Sequence, residues 1–421
     1  MEKLPLPKVS SDRDTFDIES LLFNYFRTRV SPRFHFTPGE KDCIIERIPE
    51  QEKLQTIHMA NKICENIFNF RGVGDFQFEG DIDWNYTPNG NPTWTKDLNR
   101  HHFFVTLGLA YAYTNDEKYV QRFIWLMEDW IKKNPVNYKN SGNWKSPFEV
   151  GVRINTWLWA FYLFLGSDLF KDAHFTLLKG LFEHCRYLNT RLEIHAPTNH
   201  LLLEAKALAL FGFLFPEFKK SKKWRKTGFR TLYNQIQQQV HSDGVHGELS
   251  TGYHKVITSE LLEIFVLAEN NSFEIPEMIK ERFQKMLDFE FHMTKPDGTF
   301  PLFGDSALNN NSVRFCPLWG GMILFNRPEF RNAVSQPNQL TLWLLGKQRM
   351  DSFESILPSG QKPMSSLFQI GGYAFFRDGW DKNAHYLAFD CGEFGYKHSP
   401  GHGHSDALSF EFSAYGQSFI V

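Results

Sequence analysis

An Asn–His pair directly follows a proline-containing break and opens a long apolar run. Asn199 and His200 come after Pro197-Thr198, and Glu204 lies one helical turn further along. At a helix start the first backbone N–H groups lack partners, and the helix dipole favours an anion. We therefore predict that Asn199 and His200 bind a carboxylate. The alternative for this stretch is a capping Asn, a packed His and a surface Glu.

A glycine-punctuated loop over residues 243–252 leads into another helical run at Tyr253-His254. A loop Tyr beside basic groups can transfer protons, provided that neighbouring cations lower its pKa from the usual value of about 10. We predict this role for Tyr253. A Tyr that packs as an aromatic cap is the alternative.

Two histidines and an aspartate alternate in Gly401-His402-Gly403-His404-Ser405-Asp406. On an extended chain alternate residues share a face, so we expect His402, His404 and Asp406 to point together. Such a cluster suits a metal site, a charge-neutralising site, or both.

Glu149 and Arg153 have the i, i+4 spacing of neighbours on one helix face. A plain ion pair is the simpler interpretation. Arg153 could also reach an acidic group of a substrate.

The elements that must position these residues are mostly helical. Apolar residues recur at i, i+3 and i+4 spacing between residues 97 and 330. Helices are predicted over residues 98–113, 118–133, 148–165, 170–191, 199–213, 224–241, 253–270 and 276–293. Successive helical hairpins are typical of an α/α toroid. An aromatic, turn-rich loop over 72–95 is predicted to line its cleft.

The pattern changes near residue 340. After a stretch rich in Ser, Pro and Gly over 357–363, short β-branched or aromatic runs are predicted as strands. These strands cover residues 368–377, 386–391 and 408–412. We predict a multidomain α and β protein, with an α/α toroid and its N-terminal extension over 1–335 and an antiparallel β-sandwich domain over 336–421 that is incomplete in this chain.

The composition describes an ordinary globular protein of 421 residues with a net charge of −2, which offers no global field to attract nucleic acid or a membrane. The five cysteines lack CxxC spacing, which argues against a disulfide framework or zinc ribbon. No run of about 18 apolar residues predicts a transmembrane helix. The first residues lack the apolar core of a signal peptide, which fits either a cytoplasmic protein or one whose signal has been removed.

Together these motifs resemble the heparinase II/III family of polysaccharide lyases, and within it most closely the heparan-sulfate lyases. The resemblance runs from Asp83-Trp84 to the end of the chain. Its collinear motifs are Asp116-Glu117-Lys118-Tyr119, Glu128-Asp129-Trp130, the run over 199–204, Phe215-Pro216-Glu217-Phe218, Asp243-Gly244, Glu248-Leu249-Ser250, Phe303-Gly304-Asp305-Ser306 and Phe376-Arg377-Asp378-Gly379-Trp380-Asp381.

The resemblance implies a toroid, a β-sandwich and a cleft between them. It implies that Asn199 neutralises a uronate carboxylate, that Tyr253 is the catalytic base and acid, and that His402 is the histidine from the β domain. His200 fits a second group near the carboxylate. His404 resembles a zinc ligand of the heparinase II branch, whose partner Asp lies beyond residue 421.

We also expect substrate contacts from Arg153, Glu204, His254, Trp84 and Asn99. The expected partner is an acidic polysaccharide, with no nucleic acid or membrane, and the protein is expected to be a monomer or homodimer. No cofactor is required, although a structural Zn or Ca in the β domain is allowed. The family implies a periplasmic or secreted protein.

The expected reaction is β-elimination from a glycosaminoglycan of the heparan sulfate type. Neutralising the uronate carboxylate stabilises the anion that forms when the C5 proton leaves. The alternatives are a lyase acting on alginate or a bacterial exopolysaccharide, a glycoside hydrolase on the same scaffold, and a non-catalytic carbohydrate-binding protein. A hydrolase would need two facing carboxylates, for which Glu149, Glu204, Glu248 and Asp305 are available.

Overall fold

The computed structural model describes residues 15–70, 73–136, 142–308, 313–334, 336–354, 356, 364–397 and 401–421. The chain divides into two compact units. The first unit comprises Met1–Glu193 and Leu203–Arg230, and the second comprises Ile194–Leu202 and Thr231–Val421. The predicted division at residue 335 was based on secondary structure, whereas these two units are defined by the contacts within them. The predicted domain boundary therefore stays a prediction. The predicted break over 357–363 lies outside the described residues.

A mostly helical region precedes a small antiparallel sheet, as predicted. The helices in the described residues are α1 Thr15–Thr28, α2 Lys41–Ile45, α3 Glu50–Cys64, α4 Pro92–Arg100, α5 Phe103–Thr114, α6 Lys118–Lys133, α7 Pro147–Phe164, α8 Phe170–Leu188, α9 Asn199–Leu214, α10 Ser221–Gln239, α11 Thr251–Asn270, α12 Glu277–Met293, α13 Pro317–Leu324 and α14 Gln339–Glu354. None of them is long and apolar enough to cross a membrane.

Local sequence explains where several helices begin. Asn91 accepts a hydrogen bond from Thr93 at the start of α4, and Ser146 accepts one from Glu149 at the start of α7. Both helices carry proline at their first position, where no backbone N–H is needed. Such caps satisfy backbone donors that would otherwise lack partners.

In the first unit, aromatic side chains form much of the interior. Phe76 stacks on Tyr86 with ring centroids 4.3 Å apart, and the fully buried Trp94 packs edge-on against both rings. A hairpin of β1 Ile67–Asn69 and β2 Asp75–Gln77 carries Phe76. In the loop that was predicted to line a cleft, Phe78, Trp84 and Trp94 are therefore buried, while Phe76 and Tyr86 are partly exposed, and the cleft stays a prediction.

In the second unit, five antiparallel strands form a sheet whose spatial order follows the chain. The strands are β3 Ser366–Phe368, β4 Tyr373–Arg377, β5 Tyr386–Asp390, β6 Phe410–Ala414 and β7 Gln417–Ile420. The single strand predicted over 368–377 is wrong, because a turn at Gly371-Gly372 splits it into β3 and β4. Gly372 has a positive φ of 77°, which favours glycine.

One face of this sheet packs against α12. Phe289 and Met293 of α12 belong to one buried apolar cluster with Phe375 of β4 and Tyr386 of β5. The Tyr386 hydroxyl donates to the Met293 carbonyl oxygen at 2.9 Å. Arg377 donates to two carbonyl oxygens at the end of α12, which anchors β4 to the same helix.

Gly244 fixes the loop that connects α10 to α11. Its φ is 98°, and a Cβ atom placed there would lie 2.2 Å from the Lys285 carbonyl oxygen. We expect Gly244→Ala to lower the free energy of unfolding by about 2 kcal/mol or more, because it adds both strain and a backbone clash. Gly298→Ala shares the positive φ but meets no atom within 4 Å. If denaturant titrations give both variants the same free energy of unfolding, the clash with the Lys285 carbonyl oxygen does not contribute to the loss of stability.

Candidate active site

Helix α9 begins at Asn199, whose side chain is almost completely buried in the second unit. Its backbone N–H donates to Glu248 Oε1 at 2.7 Å, and its Nδ2 lies 3.0 and 2.9 Å from the two oxygens of that carboxylate. The next two backbone N–H groups, of His200 and Leu201, donate to Thr198. The prediction that the helix start offers free N–H groups to a substrate anion is therefore wrong. Protein acceptors already occupy them.

A short, tightly bonded loop presents Glu248. The Gly247 N–H donates to the Gln239 carbonyl oxygen at 2.6 Å, and the Leu249 carbonyl oxygen accepts from the Tyr373 hydroxyl at 2.8 Å. Leu249 itself has a positive φ of 51°. Since bonds on both sides hold this loop, the Glu248 carboxylate is fixed in place.

Tyr253 lies in the first turn of α11, which Ser250 caps by accepting the Tyr253 N–H at 3.4 Å. The Tyr253 side chain is half-buried. Its ring centroid lies 3.9 Å from that of His402, with the two planes tilted by 34°. The structure thus brings together two of the residues predicted to be catalytic, one from a helix and one from a loop 149 positions later in the numbering.

His402 lies between two carboxylates. Its Nδ1 is 2.9 Å from Asp305 Oδ2, and its Nε2 is 3.9 Å from Glu248 Oε2. Since a carboxylate only accepts, Nδ1 carries the hydrogen of the shorter contact. The Asp305 N–H donates to the His402 carbonyl oxygen, and the Gly304 N–H donates to Asp406 Oδ2. These bonds join the loops over 303–306 and 401–406, and they fix the orientation of the imidazole.

His402, His404 and Asp406 do not share a strand face, so that prediction is wrong. Residues 401–409 form turns and bends, and β6 begins only at Phe410. Leu408 has a positive φ of 65°, which is incompatible with an extended strand. His404 is consequently exposed, while Asp406 turns back to accept the Gly304 N–H.

The described residues do not supply a ligand set for a metal. Among them, no group of three or more His, Cys, Asp and Glu side chains is placed to hold an ion. His404 is exposed, and Asp406 is engaged with a backbone N–H. The Zn or Ca site therefore stays a prediction, and no step below depends on it.

Three of the predicted substrate-binding residues lie together in the interior of the first unit. Arg153 donates to the Asn99 carbonyl oxygen at 3.2 Å, and Asn99 donates to the Trp84 carbonyl oxygen at 2.7 Å. The Trp84 indole N–H donates to Asp129. All three side chains are at most 2% exposed, and their role in binding substrate stays a prediction.

The expected ion pair between Glu149 and Arg153 is wrong. The Glu149 carboxylate accepts two hydrogen bonds from Arg100 instead, at 2.7 and 2.9 Å. Arg153 donates to the Asn143 carbonyl oxygen at 2.7 Å and contacts His184 Nε2 at 3.2 Å. Burial lowers the pKa of the Arg153 guanidinium to about 10. Helical spacing alone did not reveal the longer-range partner of Glu149.

The other two predicted substrate-binding residues are also buried. Glu204 accepts the Glu193 N–H at 2.9 Å, while none of the described residues bonds to its Oε1. Burial raises the pKa of Glu204 to about 9, so it is a neutral acid at physiological pH rather than a surface carboxylate. His254 Nε2 lies 3.0 Å from the Met286 carbonyl oxygen, and burial lowers its pKa to about 3. Substrate contact stays a prediction for both.

Sequence reasoning gave Glu248 and Asp305 no role beside Asn199, Tyr253 and His402. Both lie in motifs that carry the family resemblance, but the only chemical role considered for them was that of a hydrolase carboxylate. Each directly follows a glycine in a loop, Gly247 or Gly304. An acidic residue held in a glycine-flanked loop is the sequence signal that could have identified them.

Comparison with known proteins places the chain in a family. Residues 6–326 match the model described as heparinase II/III N-terminus, and residues 360–421 match heparinase II/III-like, C-terminal. A heparin-sulfate lyase of Pedobacter heparinus is 28% identical over 418 residues, covering 96% of this chain and 58% of that protein. One of Bacteroides thetaiotaomicron is 29% identical over 381 residues, covering 85% of this chain and 51% of the relative.

Solved structures show a similar fold. A crystal structure of heparinase III matches with a TM-score of 0.76 at 24% identity, covering 96% of this chain and 62% of that one. The heparan sulfate lyase of Pedobacter heparinus matches with a TM-score of 0.65 at 26% identity, covering 96% and 60%. The chain thus spans less than two thirds of the length of these relatives. Because a family model matches about three quarters of its residues, the chain belongs to the heparinase II/III family.

Proposed function

We propose that this protein is a polysaccharide lyase that cleaves a uronate-containing glycosaminoglycan of the heparan sulfate type by β-elimination. The observation that carries the proposal is the contact between the rings of Tyr253 and His402, whose centroids lie 3.9 Å apart, within the same unit as the Asn199–Glu248 contact. The substrate class rests on the similar proteins, which are heparin-sulfate lyases.

In the proposed reaction Tyr253, as phenolate, removes the proton from C5 of the uronate. The C5–H electron pair forms the C4–C5 double bond, and the C4–O4 bond breaks. Tyr253 then returns the proton to O4 of the leaving sugar. The atoms balance without water, and the products are an unsaturated uronate and a new reducing end.

Removing the C5 proton is difficult until the charge of the adjacent carboxylate is neutralised. Asn199 is proposed to donate a hydrogen bond to that carboxylate, with His402 as the second group and His200, which adjoins Asn199, as a third. The hydrogen bond between His402 and Asp305 holds the imidazole in one orientation. Preorganised donors of this kind cost no rearrangement at the moment of reaction.

The identity of the uronate sets how many residues must move protons. In glucuronate the C5 proton and the O4 leaving group lie on the same face, so Tyr253 can serve both. In iduronate they lie on opposite faces, and a histidine would have to share the work. His402 is the proposed partner, since its ring contacts that of Tyr253.

The geometry disfavours a glycoside hydrolase. Such an enzyme needs two carboxylates with room between them for the sugar. Glu248 and Asp305 instead contact opposite nitrogens of the same imidazole. Glu149 is paired with Arg100, and Glu204 is a buried neutral acid.

We also propose the finer architecture of an α/α toroid followed by a β-sandwich. The exposed face of the sheet supports the sandwich, because alternate residues such as Leu367, Phe376 and Phe410 are apolar and 41–65% exposed. A second sheet packed on this face would bury them. The succession of helices in the first unit is compatible with the toroid.

The proposed function is tested with the intact protein on heparan sulfate, alginate, hyaluronan and a bacterial exopolysaccharide. We expect heparan sulfate to give the ultraviolet absorbance of an unsaturated uronate. The same absorbance only from alginate or another uronate polymer would reassign the substrate. New reducing ends without that absorbance would indicate a hydrolase and contradict the proposal.

The contact between Asp305 and His402 gives a second prediction. Asp305→Asn is expected to lower kcat roughly 10- to 100-fold, because the neutral amide replaces a charged acceptor and holds the His402 imidazole less firmly in its orientation. Asp305 is half-exposed, so its loss should leave the melting temperature unchanged. Asp378→Asn breaks a similar exposed Asp–His contact, with His385, and serves as the matched control. Equal kcat values for the two variants would show that the contact of Asp305 with His402 does not support catalysis.

A further inference from the structure

The side chain of Glu248 is buried, with only 2% of it exposed. Three of its contacts are to Asn199, namely one from the backbone N–H and two from the side-chain Nδ2. The fourth is the 3.9 Å approach of His402 Nε2, which is longer than a hydrogen bond. The hydrogen bonds of Glu248 to the active-site residues are therefore concentrated on Asn199.

These contacts decide which way the Asn199 amide faces. An amide can turn by half a rotation and exchange its oxygen and nitrogen. With Oδ1 turned towards Glu248, two acceptors would face each other, so the carboxylate holds Nδ2 on its own side. The backbone N–H bond at 2.7 Å to the same carboxylate removes the remaining freedom at the start of α9.

Among the residues that the structure describes, Glu248 is the acceptor for Asn199 Nδ2, and the geometry leaves one of the two amide N–H bonds available. The two carboxylate oxygens subtend roughly 45° at Nδ2, whereas the two N–H bonds of an amide diverge by about 120°. Both oxygens therefore share one N–H bond. The second N–H bond points away from Glu248, and its direction is set by the carboxylate.

We propose that Glu248 is a positioning residue, which fixes Asn199 so that its second amide N–H meets the substrate carboxylate. This inference rests on the proposed lyase function. Glu248 transfers no proton and contacts no substrate in this role. Glu248 contacts the N-terminus of α9, the end of a helix at which the dipole favours an anion.

Two variants of Glu248 test the position and the charge of its carboxylate separately. Glu248→Gln keeps the size of the side chain but replaces one of the two oxygens that face Asn199 Nδ2 with an NH₂ group, so that two donors oppose each other. Glu248→Asp keeps the charge but withdraws the carboxylate by one methylene group. We expect both to lower kcat/KM by roughly 10- to 100-fold, mainly through kcat, because the Asn199 contact strengthens in the transition state.

A double-mutant cycle with Asn199→Ala tests whether Glu248 acts through Asn199. In the Asn199→Ala background, Glu248→Gln should cost less than about 3-fold, because the group that it positions is already absent. Equal losses in the two backgrounds would overturn the proposal, as would a fully active Glu248→Asp. Glu274→Gln, at an exposed position of the second unit, is the matched control.

A measurement independent of activity distinguishes this inference from the proposed function. With isotope-labelled asparagine, the backbone and side-chain N–H resonances of Asn199 should be shifted downfield and should move in Glu248→Gln. Unchanged resonances would contradict the positioning role. A wild-type protein that is inactive on every uronate polymer would contradict the proposed function, while the resonances would still decide whether Glu248 holds Asn199.

Discussion

Replacing Tyr253 by Phe is expected to reduce the rate of unsaturated-product formation by about 10²–10⁴-fold, the usual contribution of a general base or acid. The substitution removes only the hydroxyl that is proposed to accept the C5 proton. The ring remains, and its packing against His402 at 3.9 Å does not need the oxygen. We therefore expect the melting temperature and the KM for polymer to stay close to those of the wild type.

The rate is measured by ultraviolet absorbance under saturating polymer. Tyr415→Phe is a suitable control, because Tyr415 is 70% exposed in the turn between β6 and β7. The control should cleave at the wild-type rate. A Tyr253→Phe variant as fast as this control would show that another group removes the proton.

The second large effect concerns stability and comes from Glu204. Burial raises its pKa from 4.5 to about 9, so the folded state holds a proton that the unfolded state releases above its ordinary pKa. Between these two values the folded state binds more protons than the unfolded state. The contribution of Glu204 to the free energy of unfolding is therefore fully present at low pH, and it is lost as the pH rises towards about 9.

Glu204→Gln should remove this dependence. The amide carbonyl can accept the Glu193 N–H as the carboxyl does, and its NH₂ replaces the oxygen that lacks a bond among the described residues. Between the unfolded-state and folded-state pKa values of Glu204, each pH unit changes the free energy of unfolding by up to about 1.4 kcal/mol. Since the folded state relaxes around a buried charge, we expect the variant to be more stable than the wild type by about 1–3 kcal/mol near pH 8.

Denaturant titrations of both proteins across the pH range measure this difference, with Glu128→Gln, at an exposed position of α6, as the control. The stability gained by Glu204→Gln should grow with pH. A gain that is the same at low and high pH would mean that Glu204 is ionised in the folded protein. The difference between variant and wild type cancels the contributions of all other titrating groups.

The helices were predictable because their signals are local. The starts of α9 at Asn199 and of α11 at Thr251 follow a proline break and a Ser250 cap, and apolar spacing sets the rest. The pairing of Tyr253 with His402 was expected from resemblance alone. No local pattern joins residues that far apart in the chain.

Strand-level predictions failed where the chain turns. Periodicity could not show that Gly371-Gly372 makes a hairpin, since glycines are tolerated within apolar runs. The expectation that His402 and His404 share a face assumes an extended chain, whereas residues 401–409 form turns and bends. The turn is set by long-range bonds, such as the one between Gly304 and Asp406.

The contacts of Asn199 show a further limit. A helix start suggested an anion site, and an anion is indeed held there, but it belongs to Glu248, 49 residues later. Burial was equally hidden from the sequence. Arg153 and Glu204 look like surface residues by type, yet the structure encloses both, because charged groups can be buried when they are hydrogen-bonded or neutralised.

The central claim is that the chain is broken by elimination at a uronate. Mass spectrometry of the products from a heparan sulfate oligosaccharide of defined length tests it most directly. Elimination predicts two products whose masses sum to that of the substrate, with the double bond on the fragment that carries the uronate. Products whose masses sum to the substrate plus one water would show hydrolysis and would contradict the account.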